Sequence, residues 1–253
     1  MNTGLLELDH CTIRFGGLTA VSDLTLQLGQ NDLVGLIGPN GAGKTTVFNV
    51  ITGVYKPDEG DIRYQGASLT GEPPWKITKR GIARTFQNIR LFPSLSVFDN
   101  VRAAFRLHLK HGISPALWRG RAFLDEEKKV GDQVMNLLEI FHLGKFRDAS
   151  AKELSYGDQR RLEIVRALAT HPSLLLLDEP AAGMNPTEKV ELMKLIEFIE
   201  EKFKISILLV EHDMKVVMGI CRRIIVLDYG IKIAEGTPEE VRTNPKVIEA
   251  YLG

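Results

Sequence analysis

The stretch Gly38-Pro39-Asn40-Gly41-Ala42-Gly43-Lys44-Thr45 constrains this chain more than any other. It satisfies the phosphate-loop pattern G-x-x-x-x-G-K-[ST] at every required position. Glycines let the backbone curl until successive N–H groups face one concavity, a nest for anionic oxygens. The helix that follows points the positive end of its dipole at the same place. Lys44 then reaches the β- and γ-phosphates and the Thr45 hydroxyl holds Mg²⁺; Thr46, the residue after the pattern, is expected among the nucleotide contacts. The flanks agree, since Leu33 to Ile37 reads as a buried strand and Thr45 to Ile51 as a helix. Strand, loop and helix in that order predict an α/β fold on a phosphate-loop core, and a nucleoside triphosphate as ligand.

The rest of the chain alternates between the same two kinds of element. Leu24 to Leu28 alternates apolar and polar residues, as a half-exposed antiparallel strand does. Asp61 to Tyr64 reads as a short strand, Trp75 to Arg80 as a short helix, and Ile82 to Phe86 as a strand. Ser96-Val97-Phe98-Asp99 fits a capping box that starts a helix running towards Leu109. Gly112, Pro115 and Gly120 then break any helix, and a charged stretch to Lys129 follows. Further helices fit Val130 to Phe141 and a segment that follows Gly157 and reaches about Ala169. The frame resumes with buried strands at Leu174 to Asp178, Ser206 to Val210 and Ile224 to Leu227. Asn185-Pro186 opens a helix to Phe203, and two short helices finish the chain after the strand from Ile231 to Glu235. A mixed frame (1–88 and 166–236) thus carries an inserted helical block (89–165) and a C-terminal helical tail (237–253).

Composition excludes several classes of function. The chain has 32 basic and 32 acidic residues and no net charge, which argues against a nucleic-acid partner. Cys11 and Cys221 lie too far apart to suggest a metal pair, so reduced, buried thiols are expected. The start, Met1 to Glu7, lacks the basic and apolar segments of a signal peptide, and no apolar run approaches the roughly 18 residues of a membrane span. Any membrane role is expected to be peripheral.

A second nucleotide signal is Leu174-Leu175-Leu176-Leu177-Asp178-Glu179. An apolar strand that ends in a carboxylate lets Asp178 hold hydrated Mg²⁺ at the carboxyl edge of the sheet. Glu179, next in line, can polarise a water for in-line attack on the γ-phosphate. Leu154-Ser155-Tyr156-Gly157-Asp158-Gln159 adds a helix start with a Ser hydroxyl, a glycine and free N–H groups, which is another anion site.

That last stretch resembles the signature of ATP-binding cassette ATPases, ordinarily Leu-Ser-Gly-Gly-Gln. Gln87 in Ala83-Arg84-Thr85-Phe86-Gln87, Asn185 after Glu179, and His212 in Val210-Glu211-His212-Asp213 extend the resemblance over nearly the whole chain. The resemblance implies a RecA-like phosphate-loop core with an N-terminal antiparallel β subdomain and an inserted α-helical signature subdomain. It implies ATP hydrolysis with Mg²⁺, which Thr45, Gln87 and, through water, Asp178 would hold. Phe15 takes the place of the adenine-stacking aromatic, Glu179 of the catalytic carboxylate, and His212 of the switch histidine on the γ-phosphate. Gln87 matches the loop glutamine that contacts Mg²⁺ and water, and Lys44 the phosphate-loop lysine. Ser155 and Gly157 match residues that contact the ATP of the opposite subunit. Tyr156 stands in place of the first signature glycine, Asp158 of the usual Gln, and Asn185 of the more common Asp.

With one phosphate loop and one signature, the resemblance implies a head-to-tail pair, either a heterodimer or a homodimer, with each ATP sandwiched between subunits. The partners implied are two integral-membrane permease subunits and, indirectly, a periplasmic solute-binding protein; the location implied is the cytoplasmic face of the inner membrane. A short permease helix would dock beside Gln87 on a surface running to Val101, where Ile89, Leu91, Phe92, Leu95 and Phe98 form an apolar cluster. Arg14 to Leu18, Tyr156-Gly157 with Arg160 to Ile164, Ala181 to Pro186 and Glu211 to Lys215 resemble most closely the larger ATPase of bacterial branched-chain amino-acid importers. A lipopolysaccharide-export ATPase, which shares the Gly236 to Glu240 region, and amide or urea importers stand as alternatives. A small-molecule kinase would need neither Ser155 and Gly157 nor Glu179 and His212. A soluble ATPase acting on nucleic acid or ribosomes usually carries two cassettes or a long coiled insertion, and this chain has neither.

Overall fold

A computed structural model describes residues 4–105, 107 and 121–252. It separates into two compact units: one comprises the chain up to Gln87 together with Ser173 onward, the other Asn88–Pro172.

The first unit is built on two sheets. The smaller is antiparallel, with strands β1 (Leu6–Phe15), β2 (Leu18–Leu28), β4 (Glu59–Tyr64) and β5 (Ala67–Ser68) in the order β2-β1-β4-β5. Along β2, Leu24, Leu26 and Leu28 are buried while Gln27 is exposed, the expected alternation of a strand with one solvated face. The larger sheet adds β3 (Leu33–Ile37), β6 (Ile82–Arg84), β7 (Leu174–Asp178), β8 (Ser206–Val210), β9 (Arg223–Asp228) and β10 (Ile231–Gly236). Its order is β10-β9-β3-β8-β7-β6, parallel throughout except for the antiparallel edge strand β10. Every residue of β3, β7 and β8 is buried, which is why they read as unbroken apolar runs.

Helices α1 (Lys44–Ile51), α2 (Pro74–Arg80), α6 (Pro186–Phe203), α7 (Met214–Ile220), α8 (Pro238–Thr243) and α9 (Pro245–Leu252) complete this unit. Asn185 caps α6 in a reciprocal box with Glu188, each accepting the other's backbone N–H at 3.0 and 2.8 Å. Both cysteines are buried and unbridged; burial pushes the Cys11 thiol up to about 11 and the Cys221 thiol to about 12.

The second unit is helical: α3 (Val97–Phe105), α4 (Arg121–Ile140) and α5 (Tyr156–Leu168). Ser96 caps α3, accepting from Asp99 N–H at 3.0 Å. The fully buried Asn100 organises the preceding turn, taking the Phe92 N–H at 2.9 Å and donating to the Phe92 and Ser96 carbonyls at 3.0 Å.

Three expectations from the sequence change. The strand after α2 is only three residues long, because Thr85 N–H still reaches the Leu176 carbonyl but pairing goes no further. The charged stretch before Val130 is helical, so α4 starts nine residues earlier than its apolar period suggests; Glu127 anchors on Arg102 of α3 at 2.7 Å. Helix α5 begins at Tyr156, with Gly157 inside its first turn rather than before it, because Ser155 is the cap. The predicted extension of α3 to Leu109, and Gly112, Pro115 and Gly120, fall on or among residues outside those described.

Candidate active site

Strand order determines what meets at the carboxyl edge of the large sheet. Because β8 lies between β3 and β7, and β6 flanks β7, the segments leaving these strands line up in one row. They are the Gly38 loop after β3, His212 after β8, Asp178 and Glu179 at β7, and Gln87 after β6. Ligands of open α/β sheets bind at this edge.

The loop closes onto α1 through Gly43, whose φ is 99° and where any side chain would collide with the Ala20 carbonyl. Lys44 is buried, and its ammonium donates to the Gly38 and Pro39 carbonyls at 2.7 and 2.9 Å. Burial holds its pKa below the ordinary lysine value, against the pull of the Glu179 and Asp178 carboxylates. Neutral carbonyls are weaker partners for an ammonium than phosphate oxygens, so this contact is one a phosphate can replace.

In front of the loop lies a cavity of about 380 Å³, walled by Asn40 to Thr46, by Phe15, Leu18 and Tyr229, and by Glu179. Phe15 is 43% exposed, so it is no core residue; its ring meets Tyr55 edge-on at 5.0 Å. Gly38 and Pro39 stand behind this wall and act through the carbonyls that hold Lys44. Tyr229 is a wall residue that sequence reasoning treated only as part of a turn. It has φ of 43°, an uncommon conformation for a bulky side chain and the one visible signal at that position.

At the end of β7, Asp178 is almost fully buried and its Oδ2 accepts from the Arg84 guanidinium at 2.7 Å. Arg84 also donates to Asn49 Oδ1 at 2.7 Å and lies against the rings of Phe48 and Phe86. Its Nε is buried without a partner among the described residues. Sequence reasoning passed over Arg84; a cation closing a buried strand was the available clue. Glu179, at φ of 47°, presents Oε2 to the Gln87 amide at 2.6 Å and to His212 Nε2 at 3.0 Å. Three residues expected at the site therefore meet on one carboxylate oxygen. Thr45 is exposed on the cavity wall. Among the described residues no three His, Cys, Asp or Glu side chains cluster to hold a metal. A lone hydroxyl and a carboxylate suit Mg²⁺, a hard cation that keeps several waters and takes phosphate oxygens as ligands.

Glu211 was also missed. Only 1% exposed, it accepts the Ala181 N–H on Oε1 at 2.6 Å and those of His212 and Asp213 on Oε2 at 3.1 and 3.4 Å. Burial pushes its carboxyl above the ordinary range, opposed by these three donors and by His212.

In the second unit, Ser155 caps α5: its hydroxyl accepts the Asp158 N–H at 3.2 Å and donates to Asp158 Oδ2 at 2.8 Å. Asp158 is held in turn by Arg161 at 2.9 Å. Tyr156 takes the Arg160 guanidinium on its hydroxyl at 3.0 Å. A Cβ at Gly157 would meet no described atom within 4 Å.

A family model described as ABC transporter matches residues 21–182, well over half of the chain. The chain belongs to the ABC transporter ATPase family. A second model, described as branched-chain amino acid ATP-binding cassette transporter, matches residues 232–253 of this ABC ATPase. LivG of Salmonella typhimurium, a high-affinity branched-chain amino acid transport ATP-binding protein, is 47% identical over 100% of this chain and 99% of its own length. BraF of Pseudomonas aeruginosa, with the same description, is 45% identical over the same shares. The ADP conformation of MJ1267, an ATP-binding cassette of an ABC transporter, superposes with a TM-score of 0.85 at 30% identity, covering 99% of both chains. The expected fold class is thereby borne out, and the protein is an ATP-binding ABC ATPase. Among its described residues no helix is long and apolar enough to cross a membrane.

Proposed function

We propose that this ATPase energises an importer of branched-chain amino acids. The observation that carries the reading is the 45–47% identity to LivG and BraF over the full chain. The tail match at residues 232–253, to a model described as branched-chain amino acid ATP-binding cassette transporter, adds to it.

In this reading ATP occupies the cavity in front of the phosphate loop. Its base stacks on Phe15, and its phosphates draw Lys44 away from the Gly38 and Pro39 carbonyls. Mg²⁺, when bound, supplies charge neutralisation between the phosphates; Thr45, Gln87 and, through water, Asp178 would hold it. Glu179 is the base that orients the attacking water, steadied by Gln87 and His212, whose 2.6 and 3.0 Å contacts support the assignment. Ser155 and Gly157 reach the ATP of a second ATPase subunit. The open space at Gly157 supports that role, because among the described residues nothing within 4 Å requires a glycine there.

Permease subunits complete the machine at the cytoplasmic face of the inner membrane, fed by a periplasmic solute-binding protein. Phe92 and Leu95 are exposed while Ile89, Leu91 and Phe98 are half-buried, so Phe92 and Leu95 are the residues of that cluster we assign to the permease contact. The test is ATP hydrolysis by the ATPase reconstituted with its permease and binding protein. Leucine, isoleucine or valine should stimulate it. Stimulation by urea or amides alone, or by lipopolysaccharide, would overturn the assignment of cargo.

A further inference from the structure

The His212 loop and the loop that follows Glu179 leave neighbouring strands, β8 and β7, and the second of them leads to Asn185. Glu211 lies buried between the two. Its oxygens are divided: Oε1 serves Ala181 of one loop, Oε2 serves His212 and Asp213 of the other. A buried carboxylate is costly to desolvate, and it is retained only where its acceptor sites are filled. A single capping bond could be supplied by any short polar side chain; a split pair of oxygens joining two loops could not. Two further contacts run in parallel, Lys189 of α6 with Asp213 at 2.6 Å and His212 with Glu179 at 3.0 Å.

We infer that Glu211 is a positioning residue that locks the His212 loop to the Ala181–Asn185 segment, so that the switch histidine and the segment leading to α6 move as one body. The two ends of the body then report to each other: a displacement of His212 reaches Ala181 through one carboxylate, and from there the turn closed by Met184 N–H on the Ala181 carbonyl leads to Asn185. This rests on the proposed pairing of His212 with Glu179 in hydrolysis, and adds the element that sets where His212 stands.

Substitution separates the possibilities because an amide has one acceptor oxygen. Glu211→Gln keeps the volume but releases one of the two loops, whereas Glu211→Asp keeps both acceptors on a shorter stem. In the reconstituted transporter Glu211→Gln should lower kcat roughly 10- to 100-fold, the cost of a catalytic group misplaced by about 1 Å, with ATP affinity unchanged. Glu211→Asp should recover part of the loss. In a His212→Ala background the added Glu211→Gln should cost less than about twofold, since residues that act as a unit are not additive. Hydrogen exchange gives a readout independent of kcat. ATP should slow exchange across 181–185 and 211–214 together in the unsubstituted protein, and in only one of these segments in Glu211→Gln. Multiplicative losses in the double variant, or retained joint protection in Glu211→Gln, would overturn the inference. So would a fall in ATP affinity that tracks a fall in melting temperature in both Glu211 variants. A wild-type rate for His212→Ala alone would instead overturn the role of His212, leaving the exchange experiment to decide on Glu211.

Discussion

The carboxyl edge of the six-stranded sheet and the start of α5 both have the makings of phosphate sites, but they are built in opposite ways. At the sheet edge the contacts are long-range: Gln87 and His212 converge on Glu179, and Arg84 holds Asp178. None of these exists until the parallel strands have assembled in order. At the start of α5 the contacts that set Ser155 are local: Ser155, Asp158 and Arg161 bond to one another within two turns of helix. The first region has the character of a preorganised polar site, in which groups already oriented need little reorganisation when charge develops. The second is a finished cap with open space at its glycine. Under the proposed function, such a cap would contribute to a site whose phosphate a second subunit brings. On that proposal the two regions would be unlike half-sites that a head-to-tail pair of subunits joins.

The comparison breaks most easily at Glu179. Glu179→Gln should lower hydrolysis in the assembled transporter by about 10²–10⁴-fold, the usual loss for a positioned base, while ATP binding stays within about twofold. Hydrolysis at the wild-type rate would mean that the contacts gathered on this carboxylate are structural only. A smaller effect is expected at the outer wall of the cavity. Phe15→Ala should weaken ATP binding about five- to hundred-fold, matching the roughly 1–3 kcal/mol of base–aromatic stacking, with the melting temperature unchanged. Unchanged affinity measured by calorimetry, together with a large fall in melting temperature, would return Phe15 to the role of a packing residue.

Much of this architecture was legible in the sequence because its signals are local. Gly38 to Thr45, the apolar run into Asp178, and Asn185-Pro186 each carry their meaning within a few residues. Lone residues such as Gln87 and His212 became readable only through the family resemblance. What stayed hidden depends on strand order. Arg84 and Glu211 look like ordinary charges until β6 pairs with β7 and β8 with β7, which brings Arg84 onto Asp178 and Glu211 under Ala181. The early start of α4 was masked for another reason: the run from Asp125 to Lys129 has no apolar period, and its register comes from Glu127 pairing with Arg102. Tyr229 was hidden by its turn, where a left-handed backbone usually signals Gly or Asn.

The most direct measurement is a cryo-electron microscopy structure of the assembled transporter carrying Glu179→Gln, with ATP and Mg²⁺. The predicted result is one nucleotide on the Gly38–Thr45 loop of this chain, its base against Phe15. This chain's Ser155 hydroxyl and Gly157 N–H would lie at hydrogen-bond distance, about 3 Å, from the γ-phosphate of the nucleotide held by the other ATPase subunit. A nucleotide bound on the loop with α5 of both subunits turned away from every phosphate would contradict the claim that this chain carries two complementary half-sites.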